Sequence, residues 1–148
     1  MRKYKHGTSW CFWRWTEVDS EYITRLHIIK TALGAICLHW LKKPDPEPFP
    51  HDHPVTFLSL IWGEYHEVRN GVLRKRRWIN FIKASPNDQH NIVYVKPGTV
   101  TLCIMGPKRR EWGFHTPTGW VFWKDYYAKQ RAAKQVTKTA INDIGEAS

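Results

Sequence analysis

The chain of 148 residues has little cysteine: Cys11, Cys37 and Cys103 are odd in number and far apart. Their spacing fits neither a CxxC metal site nor a disulfide framework. Each reads as a small buried residue, and a reducing cytoplasm is the expected compartment. Long apolar runs are missing too. The longest stretch without Asp, Glu, Lys or Arg is Trp112 to Trp123, 12 residues that include two Gly and a Pro. A membrane helix needs about 20 apolar residues, so none is expected and no membrane partner is assigned. The basic start, Met1-Arg2-Lys3-Tyr4-Lys5-His6, leads into no apolar segment of the kind a secretory signal carries. Acidic residues are scarce, 13 against 23 Lys and Arg, for a net charge of +10. That balance favours anionic partners, from nucleic acid to nucleotides and phosphosugars, and chooses among none of them.

What is abundant is aromatic. Nine residues are Trp, aromatics make up 14% and hydrophobic residues 42%. This is a globular composition, and the length suits one domain with its own core. No internal repeat stands out. Short β-rich runs follow one another: Tyr22 to Thr31, Ala35 to Leu41, Val55 to Trp62, Glu64 to Val68, Val72 to Lys83, His90 to Val95 and Thr99 to Met105. Arg110 to Phe114 and Trp120 to Trp123 are the last. Asn70-Gly71 between two of them signals a hairpin, because a type I′ turn needs positive φ. Lys43 to Pro50 carries four prolines and reads as a stiff non-helical strap. Short strands with turns at this spacing predict an all-β sandwich or barrel. Three parts are expected: an aromatic and basic flap or edge strand at 1–21, a barrel at 22–127, and a short helix or disordered tail at 128–148. Lys124 to Ile141, which runs from the end of the barrel into the last part, holds good helix formers and no Pro or Gly and reads as a terminal helix.

The chemistry concentrates at His51-Asp52-His53. On a strand, residues i and i+2 share a face, so two imidazoles converge as a metal ion requires. The motif follows the proline strap and opens an apolar run. A third histidine, His90, opens a later strand after Pro86-Asn87-Asp88-Gln89.

These residues resemble the cupin superfamily (RmlC-like barrels). Its first motif is a strand with HxH, a Glu three or four residues on and then a Gly, against His51, His53 and Gly63 here. Its second carries Pro, His and Asn, against Pro86, His90 and Asn91. The stretches Leu38 to Glu67, Thr101 to Phe114 and Gly119-Trp120-Val121 also look like small cupin-like proteins of bacteriophage and bacterial genomes. The resemblance spans about residues 22–127. It implies an all-β double-stranded β-helix, or jelly-roll, barrel and little about reaction, because one fold hosts many activities. The motif's Glu would fall at Phe57 or Leu58, so its carboxylate ligand is missing. His51, His53 and His90 would then leave an ion its full +2 charge and favour an anionic, chelating substrate. Nitrogen donors suit a divalent transition metal, Fe, Ni, Cu or Zn. Glu64, His66 or Glu67 would add a ligand only if their strand turns inward. The opposing reading is a barrel without metal, with these histidines as polar mouth residues.

Arg69, Arg74, Lys75, Arg76, Arg77 and Lys83 form a basic stretch with no acid between 69 and 83. Strand alternation points Arg74 and Arg76 one way, Lys75 and Arg77 the other. Arg74, Arg76, Arg110 and His115 are candidate contacts for a substrate anion, through the bidentate reach of arginine. With Trp78 and Phe81 the same strand would suit single-stranded nucleic acid, although a solvated outer strand is the commoner use of such charge. Trp112, Trp120, Trp123, Tyr126 and Tyr127 read as a cover for one barrel end or a dimer contact, and a homodimer is expected. Three functions stay open. One is a metal-dependent enzyme of oxygenase or isomerase type on a small anionic molecule. The second is a non-catalytic barrel binding a nucleotide or sugar, and the third a basic protein engaging nucleic acid or another protein.

Overall fold

The computed structural model describes residues 11–18 and 21–145, with side chains from 21 to 137. In chain order come β1 (Cys11–Val18), β2 (Ile23–Thr31), β3 (Gly34–Leu41), β4 (Phe57–Arg69), β5 (Val72–Ile82), β6 (His90–Val95), β7 (Val100–Met105), β8 (Gly113–Thr116), β9 (Gly119–Phe122) and α1 (Trp123–Gly145). Apart from that helix, the described residues form an all-β fold, as the turn spacing predicts. No described helix is long and apolar enough to cross a membrane.

β4 is the pivot of the barrel. Phe57–Trp62 pairs with β7, Tyr65–Arg69 pairs with β6, and β5 runs beside both halves. The sequence suggests two strands here; the structure has one, bent where the partner changes. At the bend Trp62 to Glu64 stand opposite Arg77 alone, a β-bulge. Gly63 takes φ +112, and a Cβ there would lie 2.6 Å from Thr99 Oγ1 and 2.9 Å from Thr99 Cα. Only glycine fits so close an approach. Facing the bulge, Trp78 takes φ 68, a strained conformation for a bulky residue. The β4–β5 turn has φ 51 at Asn70 and 77 at Gly71, as a type I′ hairpin requires.

The large sheet runs β1-β2-β3-β7-β4-β5, with β6 added on β4, and β8-β9 form a second small sheet. β1 is thus an edge strand; residues 1–10 and 19–20 lie outside the description. β8 starts at Gly113, not Arg110, and α1 starts at Trp123, one residue before the run of helix formers read from composition and ahead of the part boundary at 128. The aromatic packing explains the early start: Trp112 stacks on Trp123 at 5.6 Å, and Phe114 meets Tyr126 at 4.2 Å. Tyr126 also donates its hydroxyl to Glu47 of the strap.

An apolar cluster of Ile23, Leu41, Ile61, Tyr65, Ile92 and Val95 fills part of the interior, each fully buried aliphatic contributing about 1.5–3 kcal/mol. Much of the rest is polar. Ser59, Glu67, Asn80, His90 and Thr101 are all buried, which calls for partners.

Candidate metal centre

The segment after the proline strap bridges the two sheets. His51 pairs with His90 on one side and Phe114 on the other. His51 N–H donates to His90 O at 2.8 Å, and His90 N–H returns the bond to His51 O at 2.9 Å. Such a pair sets two side chains beside each other on one face, and His53, two residues on, joins them. The ring centroids form a near-equilateral triangle with sides of 4.9, 5.0 and 5.0 Å. One nitrogen from each ring lies within 4.8 Å of the others. His53 Nε2 and His90 Nε2 are 2.8 Å apart. The two nitrogens that approach so closely must share a proton or a cation.

Glu67 sets the direction of His90. Its Oε2 accepts the Nδ1 proton of His90 at 2.6 Å, leaving the Nε2 lone pair aimed at the other two rings. A carboxylate behind a ligating imidazole fixes its tautomer and raises its basicity. Glu67 is fully buried. Burial alone would raise its carboxyl, but His90, Arg69 and Arg76 outweigh this and hold it at about 2. Arg76 Nε lies 2.6 Å from Oε1, Arg69 Nε 3.1 Å, and Asn80 Nδ2 donates to Oε2 at 3.3 Å.

Two of the imidazoles are kept neutral. Burial, then the neighbouring His90, lowers His51 to about 4. Burial, then the other two rings and the charges of Arg69 and Arg25, lowers His53 well below the usual range. A neutral imidazole is the form that ligates a metal. Phe57 packs edge-on against His53 at 4.9 Å, and Trp112 and Phe114 face His51 at 6.0 and 6.1 Å. The aromatic group thus covers the histidines and holds α1 in place.

Asp52 points the opposite way from its two neighbours and is fully buried. It accepts from Gly113 N–H and Trp120 Nε1, both at 2.9 Å, and meets Arg110 Nη1 at 2.9 Å and His115 Nε2 at 3.2 Å. The middle residue of the histidine motif is therefore the anchor of the β8–β9 sheet.

Of the four anion contacts expected from the sequence, three are held by the protein's own carboxylates: Arg76 by Glu67, Arg110 and His115 by Asp52. Arg74 is exposed on β5. Lys75 and Arg77 project to the other face and pair with Glu64 at 3.1 and 2.6 Å. Glu64 and His66 bond each other at 3.0 Å, away from the three histidines, whereas Glu67 turns inward and holds His90 from behind. A cavity of about 360 Å³ between Trp62 and Trp78 includes none of the three histidines.

Two features escaped the sequence. Cys37 and Cys103 are direct cross-strand partners on β3 and β7, free and buried. His39 lies between them, Nε2 at 3.1 Å from Cys37 Sγ and Nδ1 at 3.4 Å from Cys103 Sγ. Arg25 stands opposite His39. Strand pairing over 66 residues cannot be read from cysteine spacing, and nothing in the sequence around Arg25 distinguishes it from a surface arginine.

A divalent ion with imidazole nitrogens at about 2.0–2.1 Å suits this donor set. The three nitrogens converge, two of the rings are held neutral, and the third has its lone pair fixed by Glu67.

No protein-family model matches the chain, and no curated protein matches it. Solved structures do. KdgF from Halomonas sp. is similar at a TM-score of 0.52 and 17% identity, over 67% of this chain and 94% of its own. A cupin-2 domain from Rhodospirillum rubrum is similar at a TM-score of 0.51 and 12% identity, over 80% of this chain and 82% of its own. Likeness at such identities is a likeness of fold.

Proposed function

We propose that this chain, which has the cupin fold, is a metal-dependent cupin enzyme that takes a small anionic molecule at a divalent transition ion held by His51, His53 and His90. The observation that carries the reading is the convergence of the three imidazoles with Glu67 fixing His90. Nitrogen donors suit Fe, Ni, Cu or Zn. A bound ion would supply Lewis-acid polarisation of the ligand and, for a redox metal, electron transfer. The chain's own residues do the rest. Glu67 holds the Nδ1 proton of His90, and Arg69 and Arg76 keep Glu67 ionised. Phe57, Trp112 and Phe114 exclude water from one side. Three neutral ligands leave the ion's charge for an anion to neutralise.

The nearby carboxylates are committed to other partners. Glu67 serves His90 and the arginines, Asp52 the β8–β9 sheet, and Asp45 accepts from the Tyr22 hydroxyl and from Ile92 N–H. With the carboxylates of Glu67, Asp45 and Asp52 engaged by other groups, oxygenase-type chemistry at the ion is favoured over an isomerase that needs a carboxylate proton carrier. The same observation supports the second reading, a cupin that binds a nucleotide or sugar without turnover. Glu64 and Glu67 answer much of the basic stretch on β5, which counts against a nucleic-acid surface.

The test is thermal stability. Binding to the folded state alone stabilises by RT ln(1 + [L]/Kd), about 2.7 kcal/mol at 100 Kd. EDTA should lower the melting temperature of the wild type and leave His51→Ala almost unchanged. Equal melting of both proteins with and without EDTA, after metal loading, would contradict the reading.

A further inference from the structure

Arg25 on β2 is the direct cross-strand partner of His39 on β3, so the two side chains share a face. That face is the polar wall where His39 meets Cys37 and Cys103. The Nε of Arg25 is buried and has no hydrogen-bond partner. Among the described residues Arg25 makes no ion pair, while Arg69, Arg76 and Arg110 each have a carboxylate. Its charge nonetheless acts on the interior: burial first, then charges that include Arg25, lower both His39 and His53. Arg25 is half-buried, and a guanidinium nitrogen buried without an anion is unfavourable; the carboxylates of Glu67 and Asp45 are engaged by other groups.

We propose that Arg25 is an anion receptor inside the barrel, holding the carboxylate of a small organic acid whose other end reaches the ion on His51, His53 and His90. The metal half of this statement rests on the function proposed above; the carboxylate half rests on Arg25. The planar fork of arginine matches a carboxylate bidentately, and one unanswered guanidinium matches one negative charge. The acid must be small, because it lies inside a barrel between β2 and the histidine segment.

Calorimetric titration with malonate, and with neutral malonamide as control, tests this in zinc-loaded and EDTA-stripped protein. Malonate should bind the wild type in both forms, more tightly with zinc, and malonamide should bind neither. Arg25→Gln should weaken malonate at least about tenfold in both forms, as the loss of a charge-assisted pair implies, and should not weaken zinc binding in the absence of malonate. Arg25→Lys, which keeps the charge without the fork, should lose less. Without malonate, Arg25→Gln should melt no lower than the wild type, since it removes an uncompensated cation; a merely structural arginine would lower it. Equal malonate binding by wild type and Arg25→Gln, or none by wild type, would overturn the proposal. If zinc fails to bind but malonate still depends on Arg25, the metal reading falls and the receptor stands.

Discussion

Glu67 joins four side chains, His90, Arg69, Arg76 and Asn80, at one buried carboxylate. Glu67→Gln keeps the volume and removes the charge. It should weaken divalent-metal affinity by about 10–100-fold, the usual effect of losing such a partner. It should also cost about 3–5 kcal/mol of stability, because two partly buried guanidiniums lose their anion. Zinc titration and urea unfolding read the two effects separately; unchanged zinc affinity in a folded variant would refute the orienting role. The histidines themselves were legible in the sequence. HxH has strand spacing, and His90 begins a run of β formers. Glu67 was not legible as their partner. The family pattern directs attention to positions 57 and 58, while this chain brings up a carboxylate from the far half of β4, through the pairing of Arg69 with His90 and of Glu67 with Ile92. That register is a property of the folded sheet. For the same reason Arg76, Arg110 and His115 read as contacts for a substrate anion until the structure supplies their carboxylates.

At the scale of elements, the bend in β4 decides where the site sits. Without the bulge at Trp62 to Glu64 the strand would run on beside β7, and Glu67 would not meet β6. Gly63→Ala sets a methyl against Thr99 at a positive φ. A loss of about 2 kcal/mol or more is expected from the strain and the clash, together with weaker metal binding through displaced Glu67. Chemical denaturation and zinc titration check both; a neutral Gly63→Ala would show that the bend does not depend on the glycine. The Asn70-Gly71 hairpin was legible because turn chemistry is local. The bend was not, since it reflects contact with Thr99, 36 residues on. Composition placed the helix, but its first turn is set by Trp123 stacking on Trp112, which no helix propensity encodes.

For the whole molecule, acid is the natural stress. In the metal-free protein His51 is lowered to about 4 and His53 well below its usual value, against about 6.5 in an unfolded chain. Between those values the unfolded state binds more protons, so stability falls as pH drops from about 6.5 towards 4. Each of these neutral histidines contributes up to about 1.4 kcal/mol per pH unit in that window. Glu67, held at about 2, adds a second loss from about 4.5 downward. Urea unfolding in EDTA from pH 7 to 4 should show this fall, reduced in His53→Ala; a flat profile would mean that the histidines are not held neutral. The central claim is that three imidazoles and no thiolate hold the ion, and X-ray absorption at the zinc edge on protein loaded with one equivalent tests it most directly. The account predicts a shell of about three imidazole nitrogens at about 2.0–2.1 Å, lost in His53→Ala. A sulfur shell near 2.3 Å, which would move the metal to Cys37 and Cys103, or no stoichiometric uptake at all, would contradict it.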